Sequence, residues 1–236
     1  LRRDEPFDYL TFAGSGEPTL SQDLGEVVAR AKKIVDSPVA VITNSTLLSS
    51  PSVRKEVAAA DVVLPSLDAA SQEAFSAINR PARGLLAEDM IQGLKDFRRE
   101  FSGQIWLEVM LVRGINDHEA EMIAKAAEAT EPDRIQLNTV VRAPAEPVKP
   151  LSQEEMERMR EIFPGAELIP DWDWSVPERI RVRILELLSG KECTLDEIGL
   201  RLNLLGSDAI KYCKILEKEG AISRRLYRGN LYFHAI

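Results

Sequence analysis

The sequence predicts an α/β fold: a series of βα units, then three helices and a terminal β-hairpin. Three observations carry this. Short apolar runs rich in β-branched residues alternate with longer segments of helical spacing. The runs are nearly continuous in their hydrophobicity, as in strands of a sheet covered by helices. The alternation then breaks at two stretches rich in proline and tryptophan, after which the pattern differs.

In order, the strand-like runs are FDYLTFAG (7–14), VAVITN (39–44), DVVLPSL (61–67), IWLEVMLV (105–112), RIQLNTVV (134–141) and AELIP (166–170). Helical segments lie between them at 22–36, 51–60, 86–101, 118–129 and 152–163. Ser52 ahead of VRKEVAAA, and Ser152 with Glu155 as a capping box, supply start signals. Such a series builds parallel βαβ units, in an open or partial barrel or in a doubly wound sheet, and periodicity alone fits both. In either, chemistry belongs at the C-terminal ends of the strands. VRAPAEPVKPLS (141–152) is too proline-rich for a central element and reads as a crossing loop. PDWDWSVPERI (170–180) is a second break and places a domain boundary near 175, giving domains 1–175 and 176–236. Beyond it come helices at 177–189, 194–202 and 207–220, and a hairpin turning at Arg228-Gly229-Asn230, in winged-helix order. Ile210, Cys213 and Leu216 mark the expected buried stripe of the third helix.

The composition is that of a globular protein, 44% hydrophobic and 29% charged. No apolar run is long enough for a membrane span and the first residues lack the apolar core of a signal peptide, so a cytoplasmic location without membrane partners is expected. Charge is uneven: residues 1–176 hold 19 Lys/Arg against 30 Asp/Glu, a net of −11, and residues 177–236 hold 11 against 8, a net of +3. Only the tail has the sign that suits nucleic acid. Two cysteines, Cys193 and Cys213, stand outside any CxxC spacing and read as core residues. The chain opens at Leu1 and enters a strand pattern at Phe7 with no preceding element, which reads as a fragment, a processed chain or a chain whose N-terminal part is absent.

The strand ends carry the candidate chemistry. The first gives Gly14-Ser15-Gly16-Glu17, a turn that lets a ligand approach the backbone and offers a carboxylate to an ammonium group. The second ends in Thr43-Asn44-Ser45-Thr46, the third in Pro65-Ser66-Leu67-Asp68. Each of these turns is equally compatible with plain helix capping. The fourth strand contains Glu108, a charge that is costly in an apolar strand unless it faces a mouth and has a partner. The fifth carries Gln136 and Asn138.

GSGEPTL after a strand, TN at the end of the next, PSLDA after the third and LVRGIND after the fourth resemble radical S-adenosylmethionine enzymes over residues 7–145. The likeness is to the iron–sulfur oxidoreductase branch related to tRNA wyosine-synthesis enzymes and glycyl-radical activases. It implies a partial (β/α)6 barrel with a small C-terminal winged-helix domain. It implies S-adenosylmethionine as cofactor, with Ser15, Gly16 and Glu17 at its amino group and Thr43 and Asn44 lining the pocket. By the same likeness Ser66 and Asp68 meet the methionine carboxylate or the ribose, Glu108 meets the ribose, and Leu137 and Asn138 pack on adenine. The implied activity is reductive cleavage of the cofactor at a [4Fe–4S] cluster, then hydrogen abstraction from an unidentified small-molecule, RNA or protein substrate. The family's CxxxCxxC is absent here, so the cluster's ligands are expected upstream of residue 1 and no residue of the chain is a metal ligand.

Two other readings compete. In one, a ligand-sensing α/β domain controls a nucleic-acid-binding winged helix, with Lys211, Lys214, Arg224, Arg225 and Arg228 as the contact residues; the same face also suits protein docking. In the other, Glu17, Asp68 and Glu108 hold a metal in a non-radical barrel, although no ligand spacing supports it.

Overall fold

The computed structural model describes residues 7–14, 16–140, 148–169, 176–204, 206–227 and 229–236. The chain divides into two compact units, Leu1–Asn138 with Glu154–Pro170, and Thr139–Gln153 with Asp171–Ile236. The expected boundary at 175 lies outside the described residues.

The first unit runs β1 (Leu10–Phe12), α1 (Leu24–Ala31), β2 (Val39–Thr43), α2 (Pro51–Val57), β3 (Val62–Pro65), α3 (Gln72–Ile78), α4 (Ala87–Glu100), β4 (Gln104–Met110), β5 (Val112–Arg113), α5 (Ala120–Glu128), β6 (Arg134–Asn138), then α6 (Gln153–Ile162) and β8 (Glu167–Leu168), with the short β7 (Lys149–Pro150) falling in the second unit. Helix α3 has no counterpart in the sequence reading. Seven residues are too few to show a period, and its one local signal is Ser71, whose hydroxyl accepts from the Ala74 N–H at 3.1 Å. Helix α2 starts at Pro51 with Ser50 at its N-cap, so Ser52 sits inside the helix rather than ahead of it.

The sheet order is β1-β2-β3-β4-β6-β8, all parallel. Strand order follows chain order without the reversal of a doubly wound sheet, so successive right-handed crossovers carry the helices to one face. Burial agrees. Val41, Val63, Ile105, Leu107, Val109 and Leu137 are closed off, whereas their alternates Ile42, Leu64, Trp106, Glu108, Met110, Gln136 and Asn138 are half-exposed. One face packs under helices and the other lines an open interior. This is a partial barrel.

The helix-covered layer is close-packed. Glycine 93 in α4 lets that helix meet the Leu48–Ser49 backbone, since a Cβ there would lie 2.5 Å from the Ser49 nitrogen. Arg54, buried in α2, donates to Glu100 through Nε and Nη2, each at 2.8 Å, and to the Leu48 carbonyl at 2.9 Å. The Glu100 hydrogen bonds and charge hold the Arg54 guanidinium above its ordinary pKa.

The second unit holds α7 (Val176–Gly190), α8 (Leu195–Leu202), α9 (Gly206–Lys218), β9 (Ile222–Tyr227) and β10 (Asn230–Ala235). Strands β9 and β10 form an antiparallel hairpin, and Cys193 bridges to Phe233 of β10. Thr194 and Glu197 cap α8 reciprocally. The core comprises Ile184, Leu188, Cys193, Ile198, Ala209, Tyr212, Cys213, Leu216, Ile222 and Phe233. Ile210 corrects the sequence reading: it is 39% exposed, and the buried stripe of α9 runs through Ala209, Tyr212, Cys213 and Leu216 instead. No described helix is long and apolar enough to cross a membrane.

Candidate functional site

The site begins where β1 ends. Glu17 N-caps the 3-10 turn Pro18–Leu20. Its Oε1 accepts from the Thr19 N–H at 3.1 Å, the Thr19 hydroxyl at 2.7 Å and the Thr43 hydroxyl at 2.6 Å. Its Oε2 accepts from the Asn44 N–H at 2.8 Å. The carboxylate therefore ties the first strand end to the second. With about two lone-pair sites per oxygen, Oε1 is saturated and Oε2 keeps one site open.

The end of β2 is fixed from the other side. Ser45 is fully buried with φ 66°, a left-handed conformation unusual for a side-chain-bearing residue, and its hydroxyl donates to the Ser66 carbonyl at 2.7 Å. Asn44 turns its Oδ1 back to the Thr46 N–H at 3.1 Å and the Thr46 hydroxyl at 2.7 Å. Its NH2 has no partner among the described residues, and neither has the Ser66 hydroxyl. Ala13, Gly14, Gly16, Glu17, Thr43, Asn44 and Ser66 border, with Pro18 and Ile42, an open cavity of ≈ 400 Å³. A Cβ on Gly16 would meet nothing within 4 Å, so internal packing does not demand glycine there. What its absence leaves is room in the cavity.

Further along the interior, Ser66 pairs with Glu108, Glu108 is in register with Gln136, and Met110 with Asn138. Asn138 lies two strands from β3, about 10 Å away at the usual strand spacing. Its Oδ1 is buried without a hydrogen-bond partner among the described residues. A polar atom in that state is costly unless something donates to it.

Two expected site residues are elsewhere. Asp68 is buried and committed to the protein: its carboxylate accepts from the Met110 N–H at 2.9 Å and the Asn79 amide at 3.0 Å. Burial raises its pKa above the usual carboxylate range, with those two hydrogen bonds opposing. It holds the β3 turn to the end of β4 and does not line the cavity. Leu137 points to the helix-covered face, in register with Val109 and fully buried, so its side chain offers no surface to a nucleobase. Ser15 and Arg228 lie outside the described residues. The metal reading also fails on Asp68. Among the described residues no group of three His, Cys, Asp or Glu is placed to hold a metal ion.

Sequence reasoning missed several residues. Thr19 locks Glu17, and its signal is its place two residues after the N-cap carboxylate. Asn116 is fully buried: its Oδ1 accepts from the Val112 N–H at 2.7 Å, and its NH2 donates to the Asp68 carbonyl at 2.7 Å and the Met110 carbonyl at 2.8 Å. Gly114, at φ 71°, makes the turn that brings Asn116 back. LVRGIND is thus a latch across the ends of β3 and β4. Glu119, also buried, accepts from the Ser71 hydroxyl and N–H, tying α3 to the start of α5.

In the second unit, Arg225 pairs with Glu192, its Nε 2.8 Å from Oε1; Arg224 pairs with Glu217 at 3.0 Å, and Lys211 approaches Asp208 at 3.9 Å. Three of the five candidate cations are therefore already paired within the unit. Lys214 is exposed on α9.

The residues round the cavity offer an acceptor at Glu17 Oε2 and donors at the Asn44 NH2 and the Ser66 hydroxyl, and Asn138 offers a buried acceptor farther along. An iron–sulfur cluster does not fit the residues present. It requires thiolates, and both cysteines are buried in the second unit, with burial pushing the Cys213 thiol up to about 12 and raising that of Cys193.

Comparison with known proteins bears on the family and the fold. The family model of the radical SAM superfamily matches residues 3–127. A protein named GTPase Obg from Brachyspira hyodysenteriae is 43% identical over 166 residues, which are 69% of this chain and 24% of that protein. UPF0026 proteins from Methanocaldococcus jannaschii and Helicobacter pylori (strain J99) are 34% and 28% identical, over 68% and 82% of this chain and 50% and 60% of their own lengths. The chain thus spans about half the length of these UPF0026 relatives. Among solved structures, a domain of pyruvate-formate lyase-activating enzyme from Bacteroides vulgatus superposes with a TM-score of 0.54 at 18% identity, covering 68% of this chain and 98% of that one. A radical SAM methyltransferase from Sphaerobacter thermophilus gives 0.51 at 19% identity, covering 70% and 51%. These two likenesses are of fold. With a family model matching more than half its length, the chain belongs to the radical SAM superfamily.

Proposed function

We propose that this chain is the cofactor-holding part of a radical SAM enzyme, in the iron–sulfur oxidoreductase branch related to tRNA wyosine-synthesis enzymes and glycyl-radical activases. The observation that carries it is the cavity at the ends of β1, β2 and β3, bordered by Asn44, Ser66 and Glu17, whose Oε2 has one acceptor site unspent among the described residues. Glu17 Oε2 would accept from the cofactor's ammonium group. The Asn44 amide and the Ser66 hydroxyl would donate to its carboxylate, and Asn138 Oδ1 would take a donor of the nucleoside. Bound at a reduced cluster held by another part of a longer protein, the cofactor supplies hydrogen-abstracting radical chemistry, while this chain binds and orients it. The second unit is proposed to engage the substrate-bearing partner, nucleic acid or protein, through α9 and the hairpin.

The test is calorimetric titration of the 236-residue chain with S-adenosylmethionine, beside Gly16→Val. The wild type binds. The variant keeps its melting temperature, because a Cβ at position 16 meets no protein atom within 4 Å, and is expected to lose binding because position 16 borders the cavity. Equal binding by both would place the ligand elsewhere. In the longer protein, anaerobic reconstitution with iron and sulfide followed by reduction should release 5′-deoxyadenosine. Failure of that release with cluster present would end the enzymatic reading.

A further inference from the structure

Glu17 is held in a manner that a plain helix cap does not require. An N-cap carboxylate needs one N–H from the turn it caps, here that of Thr19. Glu17 Oε1 receives two hydroxyls besides, from Thr19 at 2.7 Å and Thr43 at 2.6 Å. Both threonines are buried, and each hydroxyl costs free energy to remove from water. Together the donors exhaust Oε1 and leave Oε2, which among the described residues carries the Asn44 N–H alone, as the oxygen able to accept further. A freely rotating carboxylate would present either oxygen at varied angles. This one presents a single oxygen in a single direction.

We infer that Thr19 and Thr43 are positioning residues that aim Glu17 Oε2 at the ammonium group of the bound amino acid, and that Thr19 acts through Glu17 alone. This rests on the cofactor reading above. The two threonines differ usefully. The Thr43 hydroxyl also accepts from the Ser45 N–H at 3.2 Å and so helps hold the strained residue after β2, whereas among the described residues the Thr19 hydroxyl has Glu17 alone as partner. Thr19→Val is therefore the cleaner probe: it keeps the side-chain shape, removes one hydroxyl and leaves the Thr19 N–H cap in place.

The experiment measures, on the full 236-residue chain, dissociation constants for two probes: S-adenosylmethionine, and the analogue in which hydrogen replaces the α-amino group. Wild type prefers the first probe. Thr19→Val weakens S-adenosylmethionine about tenfold, the scale of one hydrogen bond to a charged group, and leaves the analogue's affinity unchanged. Thr19→Ser restores wild-type affinity for both, since the hydroxyl returns. A merely structural role would weaken the two probes alike, and that result overturns the inference, as does Thr19→Val binding both as wild type does. Should wild type bind neither probe, the cofactor reading fails with it; should wild type bind both and Thr19→Val shift neither or both, only the positioning role falls. Thr43→Val and Thr43→Ser repeat the comparison, and the expected selectivity loss for the valine variant is at least as large.

Discussion

Asn116→Ala is the sharpest test of how the strand ends are held. The wild-type side chain is fully buried and makes three hydrogen bonds, to the Val112 N–H at 2.7 Å, the Asp68 carbonyl at 2.7 Å and the Met110 carbonyl at 2.8 Å. Each is worth about 1 kcal/mol net, and each buried group left unsatisfied adds about 1–3 kcal/mol before water or relaxation recovers part of it. A loss of about 3–5 kcal/mol follows, at the upper end of what single substitutions do. Urea unfolding followed by far-UV circular dichroism reads the total. Amide exchange at Val112 reads the local event, because that N–H loses its acceptor. Asp117→Ala is the control: its carboxylate accepts from the Gly114 N–H at 2.8 Å at an exposed turn, and its loss costs less than about 1 kcal/mol. If Asn116→Ala costs no more than Asp117→Ala, the latch does not organise the β3 and β4 ends and the reasoning is wrong.

Two further substitutions test the surrounding frame. Asp68→Asn should change the pH dependence of stability. Burial raises the folded pKa of Asp68 above its unfolded value, so the wild-type fold binds that proton more tightly and loses stability as pH rises from the unfolded pKa through the folded one. The amide variant lacks this slope, and its NH2 can donate to the buried, unpartnered Asn79 Oδ1 after a rotation of that amide. The variant therefore gains on wild type between acid and neutral pH; parallel stability curves in urea would refute it. Gly93→Ala forces a Cβ to within 2.5 Å of the Ser49 nitrogen and 2.6 Å of the Leu48 carbonyl carbon, costing about 1–3 kcal/mol or more by overpacking. A thermal melt unchanged from wild type would show that the Leu48–Ser49 turn yields freely.

The parallel sheet was legible because Val41, Val63, Ile105, Leu107 and Val109 sit in short apolar runs between helical segments. The choice between barrel and doubly wound sheet was not. It depends on strand order and on one face remaining half-exposed, and neither leaves a periodic trace. Glu17, Thr43, Asn44 and Ser66 were legible as strand-end polar residues, and the structure gathers them round one cavity. The place of Asp68 is not legible, because two residues apart it would share the strand parity of Ser66, whereas the chain leaves β3 at Pro65 and parity no longer governs position 68. Strand parity separates Leu137, on the helix-covered face with Val109, from its neighbour Asn138 on the interior face. The roles of Thr19, Ser45 and Asn116 are long-range or conformational. Thr19 and Thr43 share one carboxylate across the first two strand ends, Ser45 needs φ 66°, and Asn116 bonds Asp68 across 48 positions.

The most direct test is a crystal of this chain grown with S-adenosylmethionine. The expected density has the methionyl nitrogen within hydrogen-bond reach of Glu17 Oε2, the carboxylate beside the Asn44 amide and Ser66 hydroxyl, and the nucleoside lying toward Asn138. A cofactor bound with its amino group away from Glu17, or density for it only outside this cavity, would contradict it.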